Sequence, residues 1–84
     1  MNKLELLKNK IKYRASYRGT KEMDILLTAF VRSVINNFEY LELLNLDKFL
    51  NLNDEEIYNF YSNNEPIQSF NDQKILKLFK KFKI

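Results

Sequence analysis

Cysteine, histidine and tryptophan are all absent from this 84-residue chain, and glycine and proline occur once each. Without Cys or His there is no disulfide framework, no cysteine-histidine zinc site, no Ser-His-Asp triad and no Cys-His nucleophile. Any chemistry would have to rest on carboxylates, lysines or arginines. A single glycine cannot build a phosphate-cradling loop. The scarcity of Gly and Pro also deprives β-hairpins of their turn residues. No apolar run reaches the length of a bilayer crossing. The start, Met1-Asn2-Lys3-Leu4-Glu5, has neither the apolar core of a secretion signal nor the Arg-rich, acid-free character of a transit peptide. The length points to one domain, residues 1–84, with a small core and no cleft between lobes, which disfavours a self-contained enzyme. Absence of cysteine fits a reducing compartment. The expectation is a soluble protein of a bacterial cytoplasm.

What is present is helical. Leu, Lys, Glu and Phe recur at three-four spacing, and the pattern predicts an all-α, compact five-helix bundle without linker or repeat. The first helix, 3–14, carries Leu4, Leu7 and Ile11 on one face and breaks near Arg18-Gly19, where glycine accepts the backbone angles of a tight joint. The second, 20–36, has Thr20 as its cap, Glu22 and Asp24 in its first turn, and a stripe of Met23, Leu26, Leu27, Phe30, Val31 and Val34. The third, 40–51, presents Leu43, Leu46, Phe49 and Leu50. The fourth, 54–62, starts at Asn53 with Glu56 in a capping-box pattern and buries Ile57 with Phe60 or Tyr61. Beyond the polar loop Ser62-Asn63-Asn64-Glu65-Pro66, the last helix, 70–83, follows Ser69, with Asp72 completing a second such pattern. It carries Ile75, Leu78, Phe79 and Phe82 along one side.

The joint between the first two helices is the most informative stretch. A basic, aromatic run, Lys10-Ile11-Lys12-Tyr13-Arg14-Ala15-Ser16-Tyr17-Arg18, leads into Gly19-Thr20-Lys21-Glu22-Met23-Asp24. Read locally, Gly19 breaks a helix, the acids suit a helix start and Arg18 pairs with Glu22. Read as a docking patch, Ile25 falls opposite the apolar stripe and is exposed beside fixed charges. The partner-binding candidates are Tyr13, Arg14, Tyr17, Arg18, Gly19, Glu22, Asp24 and Ile25. Arg18 offers a planar fork to a partner carboxylate or carbonyl, Glu22 accepts from partner donors, and Gly19 lets another backbone come close. Asp24 fixes the joint internally, and tyrosine and arginine are frequent interface anchors.

Elsewhere the bland readings are preferred. Asp54, Glu55 and Glu56 are acids at a helix start, and no histidine supports a metal there. Lys74, Lys77, Lys80 and Lys81 form a solvated face. The net charge of +3 is modest, so nucleic acid is not the favoured partner. The alternative function is nonetheless a small basic helical nucleic-acid-binding protein that uses Tyr13, Arg14, Tyr17, Arg18 and the last lysines.

Arg18, Gly19, Glu22 and Asp24, followed by Ile25-Leu26-Leu27, resemble the Arg-Gly-x-x-Glu-x-Asp motif of the SdhE family, the small FAD assembly factors of succinate dehydrogenase. The likeness continues at Leu46-Asp47-Lys48-Phe49-Leu50-Asn51-Leu52-Asn53-Asp54-Glu55-Glu56-Ile57-Tyr58-Asn59-Phe60, similar to that family's Leu-Leu-x-x-x-Asp-x-x-Leu-Tyr-x-Trp segment. It spans residues 10 to 66. Ser16 and Tyr17 stand where further basic residues are usual, and Phe60 replaces the tryptophan. The resemblance implies a chaperone-like assembly factor, not an enzyme. Such a factor binds the flavoprotein subunit of succinate dehydrogenase, with that of fumarate reductase as a second client, and promotes covalent attachment of FAD to it. The motif residues contact that subunit, which itself carries the FAD and the histidine that bonds to it. The chain alone is expected to be a monomer that binds no cofactor and no metal, inserts in no membrane and has no catalytic residue.

Overall fold

The computed structural model describes residues 2–84. Five helices follow one another: α1 Lys3–Ser16, α2 Lys21–Val34, α3 Tyr40–Leu50, α4 Asp54–Asn63 and α5 Gln73–Lys81. There is no strand among the described residues. The all-α five-helix architecture is the one expected from the periodicity. α1 packs on α2 and α3, and α4 meets α5.

Side chains close each helix start. Asn2 Oδ1 accepts from Glu5 N, Thr20 Oγ1 from Met23 N, Asn53 Oδ1 from Glu56 N and Asp72 Oδ1 from Ile75 N. These oxygens satisfy donors that a helix start leaves unpaired. α3 begins at Tyr40, as read, behind a capping box between Glu39 and Glu42 that the sequence reading did not identify because glutamate is an uncommon cap residue. α4 ends at Asn64 in the left-handed region, φ 59°. Asparagine tolerates that region better than most residues.

Three expectations for the last helix are corrected. It starts at Gln73 rather than 70, and Asp72, not Ser69, is its cap. Ile75, Leu76 and Phe79 are its buried residues, whereas Leu78 faces outward. In α1, Leu7, Ile11 and Ala15 are buried and Leu4 is 38% exposed, because the buried stripe begins one turn later than predicted.

The core centres on rings. Phe30, Phe49 and Phe79 are fully buried. Phe30 lies 5.0 Å from Phe79 and 6.3 Å from Phe49, and Phe49 lies 5.2 Å from Phe79, all edge to face. Phe82, Phe70 and Tyr61 extend the cluster at 5.6, 5.5 and 4.9 Å. Such edge-to-face pairs add about 0.5–1.5 kcal/mol each beyond the area they bury. Lys80 Nζ donates to the carbonyls of Phe60 and Tyr61 at 2.7 and 2.8 Å, which closes the last turn of α4 with a cation. One member of the expected lysine face is therefore structural. Lys74 is likewise tied to Glu42, while Lys77 and Lys81 remain exposed.

Candidate functional site

The basic, aromatic run divides by helical geometry. Lys10 and Arg14 are four residues apart on one face of α1, and Arg18, just past the end of that helix, turns toward α3 and the start of α4. Lys10 Nζ lies 3.2 Å from Asp47 Oδ2 and Arg14 Nε 3.1 Å from Asp47 Oδ1. Asp47 is the buried charged residue of the described chain. Oδ1 has no aligned hydrogen bond, so its contact with Arg14 is electrostatic. Tyr13 and Tyr17 lie on the outer face, 62% and 70% exposed, with ring centroids 4.4 Å apart.

Arg18 corrects the sequence reading. Its fork was expected to face a partner or Glu22, yet its side chain is only 8% exposed and is directed into the protein. Nε donates to Asp54 Oδ1 at 2.8 Å, Nη1 to the carbonyls of Leu50 and Arg14 at 2.7 and 3.2 Å, and Nη2 to the carbonyl of Leu52 at 3.0 Å. Nη2 also lies 2.8 Å from Asp54 Oδ1. A guanidinium suits this place because its rigid fan of donors can meet a carboxylate and several carbonyls at once.

Gly19 is also explained differently. Its backbone is not in the left-handed region. Instead its N–H donates to Asp54 Oδ2 at 2.7 Å, and a Cβ added at this position would stand 3.0 Å from that oxygen. Glycine here admits a carboxylate rather than an unusual torsion. Asp54 is free for this task because Asn53 caps α4. The Asp54-Glu55-Glu56 run contributes no metal-ligating cluster among the described residues.

Of the remaining candidates, Glu22 is exposed and Ile25 is 51% exposed on the outer side of α2. Asp24 is half-buried, with the Thr28 hydroxyl 3.3 Å from its Oδ1 and 3.2 Å from the carbonyl of Ala15. That hydroxyl ties the start of α2 to the end of α1. Beside the corner a groove of about 650 Å³ is lined by Gly19, Thr20, Glu22, Met23, Asp54, Glu55 and Tyr58. The corner thus presents Tyr13, Tyr17, Gly19, Glu22 and Ile25 to solvent, and holds Arg14, Arg18 and Asp24 behind them. Sequence reasoning missed Asp54 and Tyr58 as members of this site. The available signal was that both lie in the second segment matched to the family motif.

The two motif segments are joined by the contact of Arg18 with Asp54, residues 36 apart in sequence. The model of the family described as flavinator of succinate dehydrogenase matches residues 9–83. The chain is 33% identical over 79 residues to succinate dehydrogenase assembly factor 2-A, mitochondrial, of Drosophila mojavensis, covering 92% of this chain and 50% of that protein. It is 30% identical over 79 residues to succinate dehydrogenase assembly factor 2, mitochondrial, of Scheffersomyces stipitis, covering 89% of this chain and 53% of that one. The chain spans about half the length of these curated relatives. No solved structure matches it. The family match covers both motif segments and the bundle between them, and the chain belongs to the family of flavinators of succinate dehydrogenase.

Proposed function

We propose that this chain is an assembly factor that docks on the flavoprotein subunit of succinate dehydrogenase and promotes covalent attachment of FAD to it, with the fumarate reductase subunit as a second client. The observation that carries this reading is the family match over 9–83. The exposed Tyr13, Tyr17, Glu22 and Ile25 around a rigidly held corner give it a physical surface, since aromatic and aliphatic anchors beside fixed polar groups supply most of the energy of small interfaces.

The chain has no histidine and so does not supply the flavin's attachment point. In this reading it is not an enzyme, and FAD belongs to the client. Its contribution is conformational. By binding one arrangement of the client better than others, it raises the fraction in which histidine and flavin meet at reactive distance. Holding two reactants in geometry is worth up to about 7–11 kcal/mol in well-oriented systems. Turnover requires release, which suits a small corner rather than an extensive apolar face.

No helix of the described chain is long and apolar enough to cross a membrane. The bacterial cytoplasm, where the chain would act as a monomer, is part of this proposal; the curated relatives carry mitochondrial names. The nucleic-acid alternative is weakened at two of its residues, because Arg14 is paired with Asp47 and Arg18 is turned inward onto Asp54, so neither is free for phosphates.

The test is to co-express the chain with the apo flavoprotein subunit and measure protein-bound flavin fluorescence after denaturation. Covalent flavin should rise with the chain present. An equal yield without it would overturn the proposal.

A further inference from the structure

A carboxylate from α4 shapes a corner that lies 35 residues earlier in the chain. Asp54 uses both oxygens. Oδ1 faces Arg18 Nε and Nη2, each at 2.8 Å, and Oδ2 takes the Gly19 N–H at 2.7 Å. Arg18 is held in turn by the carbonyls of Leu50, Leu52 and Arg14. Charge-assisted bonds of this kind are the strong ones, and several on one group remove its freedom to rotate. A side chain at position 19 would meet Oδ2 at 3.0 Å, and that oxygen must give by a few tenths of an ångström, which lengthens its bond from the Gly19 N–H or turns Oδ1 on the guanidinium. The ordinary role for an acid in a first helical turn is to face the helix's own N–H groups, but Asn53 fills that role for α4.

We propose that Asp54 is the positioning residue of the docking corner. It sets the backbone at Arg18-Gly19 so that Tyr17 and Glu22 are presented together, and it is the reason position 19 is glycine. The glycine then serves an internal clasp, not the close approach of a partner's backbone. What the corner docks on rests on the function proposed above; the clasp itself does not.

The test is a double-mutant cycle of Gly19→Ala and Asp54→Ala, with Asp54→Ser replacing the latter if it does not fold. Affinity for the apo flavoprotein subunit is measured on samples shown to be folded by circular dichroism. Each single change should weaken binding about tenfold, within the range that contacting residues show, and Gly19→Ala should cost less than about twofold once Asp54 is gone. Equal losses from Gly19→Ala in both backgrounds would overturn the proposal, as would a folded Asp54→Ala variant of undiminished affinity. Amide exchange at position 19 gives a readout without a partner. It should be slow in the native chain and at least about tenfold faster without the Asp54 carboxylate, since exchange follows the opening of the amide's hydrogen bond. If the native chain does not bind the subunit, the docking function fails, and the amide decides the clasp: faster exchange supports it, unchanged exchange overturns it.

Discussion

The ring cluster around Phe30 and the corner at Arg18-Gly19 are built on opposite principles. Phe30, Phe49 and Phe79 hold the bundle by burying area, a force without direction that tolerates small shifts. Arg18 and Asp54 hold the corner by directed, charge-assisted bonds at 2.7 to 3.0 Å, a set that fails if one member moves. The comparison teaches that the first region supplies stability and the second supplies shape. A partly buried ion pair is a poor source of net stability compared with apolar packing, but breaking one by removing a partner is costly. Placed beside exposed tyrosines, such a pair acts as a jig for the surface.

The comparison can be broken most severely at the rings. Phe30→Asp would put an unpaired carboxylate where three rings meet, and it should leave no cooperative unfolding transition; a soluble variant with a sharp melt would refute the core assignment. Phe49→Ala should cost about 3–5 kcal/mol in urea titrations, a large share of what an 84-residue domain possesses.

Next in size is Arg18→Ala. It leaves Asp54 without its counter-charge and exposes the carbonyls of Leu50 and Leu52 to a void, and a loss of about 2–4 kcal/mol is expected. Arg18→Lys should recover only part of it, because an ammonium cannot reach a carboxylate and three carbonyls together. Full recovery by lysine would show that charge alone matters and that the fork does not.

Tyr17→Ala sharpens the contrast from the other side. With the side chain mostly in solvent, unfolding free energy should change by less than about 0.5 kcal/mol, while affinity for the flavoprotein subunit falls at least about tenfold. A variant that binds normally would remove the tyrosines from the docking surface.

Much of this was legible in the sequence and some was not. The α2 stripe from Met23 to Val34, the Thr20 cap and the exposure of Ile25 all follow from local periodicity, and the structure places them as read. The destination of Arg18 was not legible, because its distant acceptors belong to the end of α3, the α3–α4 link and the start of α4, and no local rule connects residues so far apart. Asp54 was read as a helix-start acid for the same reason. The start of α5 was missed because both Ser69 and Asp72 are good caps, and Asp72 has a distant hydrogen-bond partner that local pattern does not reveal. Asn45 Nδ2 donates to Asp72 Oδ2 at 2.8 Å and fixes that carboxylate where the helix begins.

The smallest effect concerns the ion pair between Lys74 and Glu42. The Lys74 ammonium bonded to Glu42 and the Glu39 backbone N–H hold the Glu42 carboxyl below its ordinary range. The unfolded chain therefore takes up this proton at higher pH than the folded one. Its contribution is present in full above the unfolded value and is lost as pH falls through the folded value. Glu42→Gln should flatten that acidic part of the stability profile slightly and leave neutral-pH docking unchanged; an identical acid profile in both proteins would refute the tie.

The central claim is that the α1–α2 corner grips the client. Hydrogen exchange along this chain, with and without the apo flavoprotein subunit, tests it most directly. The account predicts added protection at the end of α1 and the first turn of α2, from Tyr13 through Ile25, with α5 unchanged. Protection confined to α5, with the corner exchanging as freely as before, would contradict it.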